Sequence, residues 1–439
     1  MRKTWPVTDA EPTAARKAST GSLSVMIGLG LYGAANFVLL GLAGRDLGPA
    51  AYAPFSVAWT TVNAIGLGLF IPVEQEVSRL AAARHAAGQA PPRLTHVLRY
   101  FAAASAAILL VCLVAQGWIA GAIFNGQRSL VWYTAAAIIA IGVQYLARGV
   151  LAGYGQFLRY GFVFAIDAVV RVVIAVVIFL TGSGTVDTYG WAIVVSPLVS
   201  VVLTVSVAAL RWLRDHPTVT EDTPLAPLVS TTIASQLLSN AGPLVIAYLA
   251  TATEQDAAGN FVSAVTIGRI PLFLFAAVQA VFLPTLAGLV ARGAKTEFNR
   301  TVRLALIATT VLGLAGVLGV AILGPWAMGL IYGPKFSIGL LDLVLIAVSG
   351  AAFMIALATA QALLAHRHDI WVLVGWVAGL IATVACLWLP LGLTTKAATA
   401  LVGGSVVSAA VLGLFLTRTV RSWIPEPTTV GIESSDDAG

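Results

Sequence analysis

Apolar stretches of about 20 residues recur from residue 22 to residue 417, separated by short polar breaks. A helix needs about that length to cross the roughly 30 Å hydrocarbon core of a bilayer. Only helices and closed barrels satisfy every backbone donor and acceptor in lipid. Apolar runs of this length without two-residue alternation exclude the barrel. Composition agrees: 10% of the 439 residues are charged, 59% are hydrophobic, and the mean hydropathy is +0.91. A soluble chain carries about 25% charged residues. The sequence predicts an all-α membrane protein.

Spans are expected near 22–42, 51–73, 97–117, 130–151, 161–181, 189–210, 228–250, 258–288, 302–323, 339–365, 370–391 and 397–417. The first follows a tail carrying Arg2, Lys3, Arg16 and Lys17. It exceeds the 7–15 apolar residues of a signal peptide, so it is expected to stay as an uncleaved helix. An even count puts both termini on one side. Nineteen of the 25 Lys and Arg residues fall in the tails and loops of that side; only Arg45, Arg128, Lys335 and Lys396 fall on the other. The positive-inside rule makes the basic side cytoplasmic.

The longest interior polar segment, Arg211 to Pro227, holds three prolines and no apolar period, as a linker does. The expected organisation is a cytoplasmic tail (1–21), a six-span N-lobe (22–210), the linker (211–227), a six-span C-lobe (228–417) and a cytoplasmic C-terminal tail (418–439). The halves share a loose pattern. Asn36, Phe55-Ser-Val-Ala58, Phe70-Ile-Pro72 and Ala83-Arg84 are answered by Asn240, Phe261-Val-Ser-Ala264, Phe282-Leu-Pro284 and Ala291-Arg292. Six spans each make the repeats parallel. Transporters built this way hold substrate between halves that rock against each other; the alternative is a static pair of bundles.

A charge inside a span costs about 2.5–3.5 kcal/mol on insertion scales, so the intramembrane ions are informative. Asp167 and Arg171 lie four residues apart on one face of the fifth span. Arg171 is about eleven residues in, or roughly 16 Å. Arg269 lies at similar depth in the eighth span, with no acid three or four residues away. One reading is a polar cavity between the lobes that attracts an anionic group. For Asp167–Arg171 the other is a self-contained ion pair. Gln236 and Asn240 share a face of the seventh span, followed by Pro243, and Asn36 has a comparable place in the first. These amides either line the cavity or make ordinary interhelical hydrogen bonds. Pro243, Pro271 and Pro284 are candidate bends. Arg45 and Asp46 occupy the first outer loop, and Asp342 lies one turn into the tenth span.

Signals for an enzyme are weak. The five histidines fall on cytoplasmic loops without metal-ligand spacing, and Cys112 and Cys386 lie singly inside spans. Gly288 to Thr296 approximates a P-loop, but Ala294 separates glycine from lysine and no strand precedes it. The basic residues form no patch of the kind nucleic acid requires. The chain is expected not to be an enzyme and to need neither cofactor nor metal.

Several loose motifs keep a particular order relative to the spans. They are Arg45-Asp-Leu-Gly-Pro49 with Ala51-Tyr52; Glu76-Val-Ser-Arg-Leu80 with Arg84; Arg148-Gly-Val-Leu-Ala-Gly153 with Arg159-Tyr160-Gly161; and Asn240-Ala-Gly-Pro243. They continue with Ala258-Gly259 leading to Arg269-Ile-Pro271, Phe282-Leu-Pro284, and Gly324-Pro-Trp326 followed by Tyr332-Gly333-Pro334. Over about residues 22–417 the chain resembles the polysaccharide-exporter branch of the superfamily that contains the multidrug and toxin extrusion (MATE) transporters and the lipid-linked oligosaccharide flippases. The resemblance implies a V-shaped pair of six-helix lobes, a central cavity and alternating access. It implies a polyprenyl-pyrophosphate-linked glycan as cargo, carried across a bacterial inner membrane, with a glycan polymerase or other assembly proteins as partners. Two departures narrow it. Drug exporters of the superfamily typically keep a carboxylate in the first span, where this chain has Asn36. Peptidoglycan-precursor flippases usually have fourteen spans, and twelve are counted here. The alternatives are a cation-coupled multidrug or small-solute antiporter and a membrane enzyme or scaffold of glycan assembly.

Overall fold

The computed structural model describes residues 11–86, 94–204 and 225–423, and the described residues are helices joined by short turns, with no strand. The expected linker and the acidic C-terminal end lie largely or wholly outside them. The first helix, α1 (Glu11–Thr61), is one run broken at Gly48 (φ 71°, ψ 169°), a conformation open to glycine and immediately followed by Pro49. This break separates the first and second spans. The second continues through a π-helical turn (Val62–Leu67) into α2 (Gly68–Ala86). Then come α3 (Thr95–Ile123), α4 (Arg128–Gly153), α5 (Phe157–Thr181) and α6 (Val186–Thr204), completing the N-lobe.

The C-lobe opens with two interrupted spans. The seventh is α7 (Ala226–Ser239) and α8 (Ala241–Leu249), split at Asn240; the eighth is α9 (Gln255–Gly268) and α10 (Ile270–Ala291), split at Arg269. Pro243 and Pro271 fall just after these splits, where a missing N–H costs least. Helix α10 runs unbroken through residue 284. Four continuous helices follow: α11 (Lys295–Tyr332), α12 (Leu340–Ala365), α13 (Asp369–Ala385) and α14 (Leu393–Ser422).

Among the described residues, nine helices are long and apolar enough to cross a membrane. The first of them, residues 23–85, holds two spans, and the interrupted seventh and eighth are not among the nine. Their restoration gives the twelve expected. The helices at the two ends run past the expected spans. Helix α1 begins at Glu11, inside the expected tail, and α14 continues to Ser422, beyond residue 417.

The outward faces are apolar, as lipid requires: Val114, Leu180, Val202 and Ile322 are all largely exposed. One apolar core runs from the N-lobe (Leu39, Phe55, Ile138) across to α8, α9 and the C-terminal end of α11 (Ile246, Phe261, Tyr332). A second lies within the C-lobe around Phe275, Leu286, Phe353 and Trp376. The shared core forms a tight seam between the lobes. A Cβ on Gly259 would lie 2.0 Å from the Pro49 carbonyl oxygen, and one on Gly41 would lie 2.9 Å from Ile331. Tyr52 packs 5.5 Å from Tyr332 and 5.6 Å from Phe336, between ring centroids. Helix α10, the second half of the eighth span, packs instead on α11 and α12 of its own lobe. The lobes meet at this seam and again where α7 packs on α2 and the π-helical turn, with Gly68 against Ile233.

Candidate functional site

Three interior arginines, Arg148, Arg171 and Arg269, each sit in a cluster that lies within one lobe. In the N-lobe, Arg171 and Asp167 are both fully buried and pair at 2.8 Å. The guanidinium also donates to Asn36 Oδ1 on α1 at 2.5 Å and to Ser196 Oγ on α6 at 3.1 and 3.2 Å. Its face lies 4.9 Å from the rings of both Tyr32 and Trp59, a cation–π arrangement. The second Asp167 oxygen accepts from Gln144 Nε2 of α4 at 2.8 Å, and that nitrogen also reaches Ser200 Oγ at 2.9 Å. Positive and negative charge cancel, and both carboxylate oxygens are satisfied. This corrects one expectation. Arg171 and Asp167 do not open onto a chamber shared with Arg269; they form the self-contained pair of the alternative reading, extended by Asn36 into a network tying α1, α4, α5 and α6.

A second N-lobe cluster escaped the sequence reading, which counted Arg148 among the loop cations. Arg148 is buried, pairs with Glu74 of α2 at 2.8 Å and donates to the Tyr160 hydroxyl at 3.0 Å. Tyr160 in turn donates to Glu74 Oε1 at 2.6 Å. The guanidinium carbon lies 4.2 Å from the Phe164 ring and 4.3 Å from that of Tyr145. Phe164 meets Tyr32 edge-on at 5.6 Å, so aromatic rings connect the two arginine clusters. The available signal was an acid and an arginine near the same-side ends of spans two and four, each flanked by apolar residues.

The C-lobe cluster is chemically different. Arg269 occupies the split between α9 and α10. Its guanidinium donates to Asn240 Oδ1 at 3.0 Å and to the Ser239 carbonyl, both at the split between α7 and α8. One side chain therefore bridges both interruptions. It places positive charge at the C-terminus of α7, where freed carbonyls and the helix dipole favour a cation. No carboxylate pairs with it among the described residues. Arg269 is half-buried rather than sealed, beside a cavity of about 20 Å³ that Ser349, Gly350 and Ser405 also line. That holds about one water. Asn240 Nδ2 donates to the Gln236 carbonyl at 2.8 Å, one turn away. The Gln236 amide itself is half-buried and makes no hydrogen bond among the described residues.

Arg45 is elsewhere. It donates to the Ile331 carbonyl at 2.9 Å and to that of Leu330, so it ties the first outer loop to the end of α11. Asp46 accepts from Tyr189 at 3.0 Å, and Asp342 accepts from Thr394 and Thr395 at 2.6 and 2.7 Å. These contacts fasten the helix ends and loops on the side of the seam. No group of three or more His, Cys, Asp or Glu side chains is gathered among the described residues, and both cysteines are free.

Two lobes of six spans, with spans seven and eight broken over an arginine at mid-membrane depth, define a polytopic membrane protein with the fold of the MATE transporters. Over 91% of the chain it superposes, with a TM-score of 0.70 and 16% identity, on 97% of a multidrug resistance MATE family transporter of the MOP superfamily in its inward-facing conformation. The TM-score against an outward-facing conformation of such a transporter is 0.65, at 15% identity over 92% of this chain and 95% of that one. A mutant MATE transporter of Vibrio cholerae matches with a TM-score of 0.66 and 17% identity over 94% of this chain and 98% of the other. By sequence, the chain is 29% identical over 401 residues to an uncharacterized protein of Mycobacterium tuberculosis strain H37Rv, covering 87% of this chain and 89% of that one. A second uncharacterized protein of that strain is 28% identical over 403 residues, 85% and 86% of the two chains. No family model matches the chain.

Proposed function

We propose that this chain is an alternating-access transporter of the bacterial inner membrane, with both termini cytoplasmic, that flips a polyprenyl-pyrophosphate-linked oligosaccharide for cell-surface polysaccharide assembly. The carrying observation is Arg269: a half-buried cation without an acidic partner among the described residues, placed where two spans are broken. An unneutralised charge at that depth is costly and marks a substrate or ion path. A guanidinium suits a pyrophosphate because it offers a planar fork of donors. The free Gln236 amide and Asn240 lie one turn apart beside it and can take further phosphate or sugar oxygens. Arg171 and Asp167 then act as the rigid element of the N-lobe, not as headgroup ligands. Glycan polymerase or other assembly proteins would take the product on the far side.

The second reading is cation-coupled export of a drug or small solute. It is favoured by the multidrug transporters among the structural neighbours and by two interior carboxylates, Asp167, fully buried, and Glu74, partly buried. One experiment separates the two. The protein is reconstituted in vesicles with a polyprenyl-pyrophosphate-linked sugar, and exposure of the sugar to an external lectin is timed. Arg269→Ala should slow flipping at least tenfold and Arg269→Lys less. Absence of flipping by the parent protein, with drug-driven ion uptake indifferent to Arg269→Ala, would reject the flippase in favour of antiport. A role as a membrane enzyme or scaffold predicts neither activity.

A further inference from the structure

On its lipid-facing side the C-lobe has a furrow that no transport step uses. Helices α11 and α14 both pack on α12 and leave between them a cavity of about 700 Å³. That is within the roughly 300–1,000 Å³ of small-molecule sites. Its walls are apolar along most of their length: Val302, Leu306, Ile307 and Val311 from α11, and Leu416 and Val420 from α14. Toward its cytoplasmic end stand Arg303 and Arg421, with Asn299 and Thr417 beside them. Both arginines are exposed, and neither has an ion pair or hydrogen bond among the described residues. The end of α14 is pinned below the furrow. Lys295 Nζ donates to the Trp423 carbonyl at 2.7 Å, and the Trp423 ring packs edge-on against Phe298 and His366, at 5.5 and 4.7 Å.

We propose that this furrow is a binding site for one anionic phospholipid of the cytoplasmic leaflet, its phosphate held by Arg303 and Arg421 and one acyl chain laid along α11. Two observations choose this occupant. Charge is segregated: two unpaired cations and two hydrogen-bonding side chains gather toward one end of an otherwise apolar trough. Length also fits. Asn299 to Val311 spans twelve residues, or about 18 Å of helix, close to the half-thickness of a roughly 30 Å hydrocarbon core. A polyprenyl carrier chain is longer than one leaflet and would leave most of its length outside. Basic pockets between spans on the cytoplasmic side are suited to anionic headgroups.

The test uses the full chain purified in detergent and native mass spectrometry with phosphatidylglycerol and phosphatidylcholine of identical acyl chains. The parent should retain phosphatidylglycerol preferentially, with occupancy of one. Arg303→Gln and Arg421→Gln should each weaken that retention roughly fivefold, and Thr310→Trp, which fills the trough with both cations kept, should abolish it. Size-exclusion profiles confirm that each variant is folded. Equal retention of the two lipids overturns the proposal, as does a phosphatidylglycerol preference indifferent to the Gln variants. So does preferential displacement by a polyprenyl phosphate, which would make the furrow a carrier portal. Anionic lipid bound only after Glu433, Asp436 and Asp437 are neutralised would assign it instead to the chain's own acidic end.

Discussion

Removing either member of the Asp167–Arg171 pair destabilises the N-lobe, but the two removals are not equivalent. Arg171 is fully buried and keeps its proton under all working conditions. In Asp167→Asn, its charge remains with only Asn36, Ser196 and the introduced amide as neutral acceptors. Breaking a buried ion pair from one side costs about 3–5 kcal/mol, and the aromatic faces of Tyr32 and Trp59 recover only part of that. Arg171→Met leaves the reverse orphan, but a carboxyl group can take up a proton and stay neutral, still hydrogen-bonded to Gln144. Its cost should be nearer 2 kcal/mol, set by an imperfectly paired polar group and a cavity. The double variant should be no worse than Asp167→Asn, because no charge is then stranded. The assay is thermal or denaturant unfolding in a fixed detergent, followed by monodispersity and arranged as a double-mutant cycle. Equal small losses for both single variants, below about 1 kcal/mol, would mean that water reaches the pair and that the network does not hold the N-lobe.

Three further outcomes follow from the seam and the cytoplasmic end. Gly259→Ala puts a methyl group 2.0 Å from the Pro49 carbonyl oxygen, which a backbone cannot accommodate without moving. Spin-label distances across the outer face should lengthen, with a stability loss of about 1–3 kcal/mol, and unchanged distances would contradict a closed seam. Arg45→Gln removes the donors to Ile331 and Leu330 and should shift the same distances in the same direction with a smaller loss, because this pairing is exposed. His366, just past the end of α12, has its pKa lowered first by burial and then by His368, so its neutral form is the one folded into the Phe298–Trp423 cluster. That contribution is present above the unfolded value of about 6.5 and is lost as pH falls through the lowered folded value. Tryptophan emission should report a loosening of the α12–α14 end only below about pH 6.5, and His366→Phe should remove the pH dependence.

Sequence alone determined the number of spans and the basic-side asymmetry, because both depend on local quantities: apolar length against bilayer thickness, and charge against loop position. Of its three candidate bends, Pro243 and Pro271 do follow interruptions, but the helix runs unbroken through Pro284, so a proline alone does not decide where a span breaks. The sequence offered Asp167 as a partner for Arg171 and none for Arg269, but could not decide whether the Asp167–Arg171 pair is sealed or open to a cavity. The groups that seal the pair come from residues 36, 144 and 196, and those that hold Arg269 from residues 239 and 240. Those partners meet only when helices far apart in the chain pack, so the difference between a sealed ion pair and a half-open cation belongs to the tertiary structure.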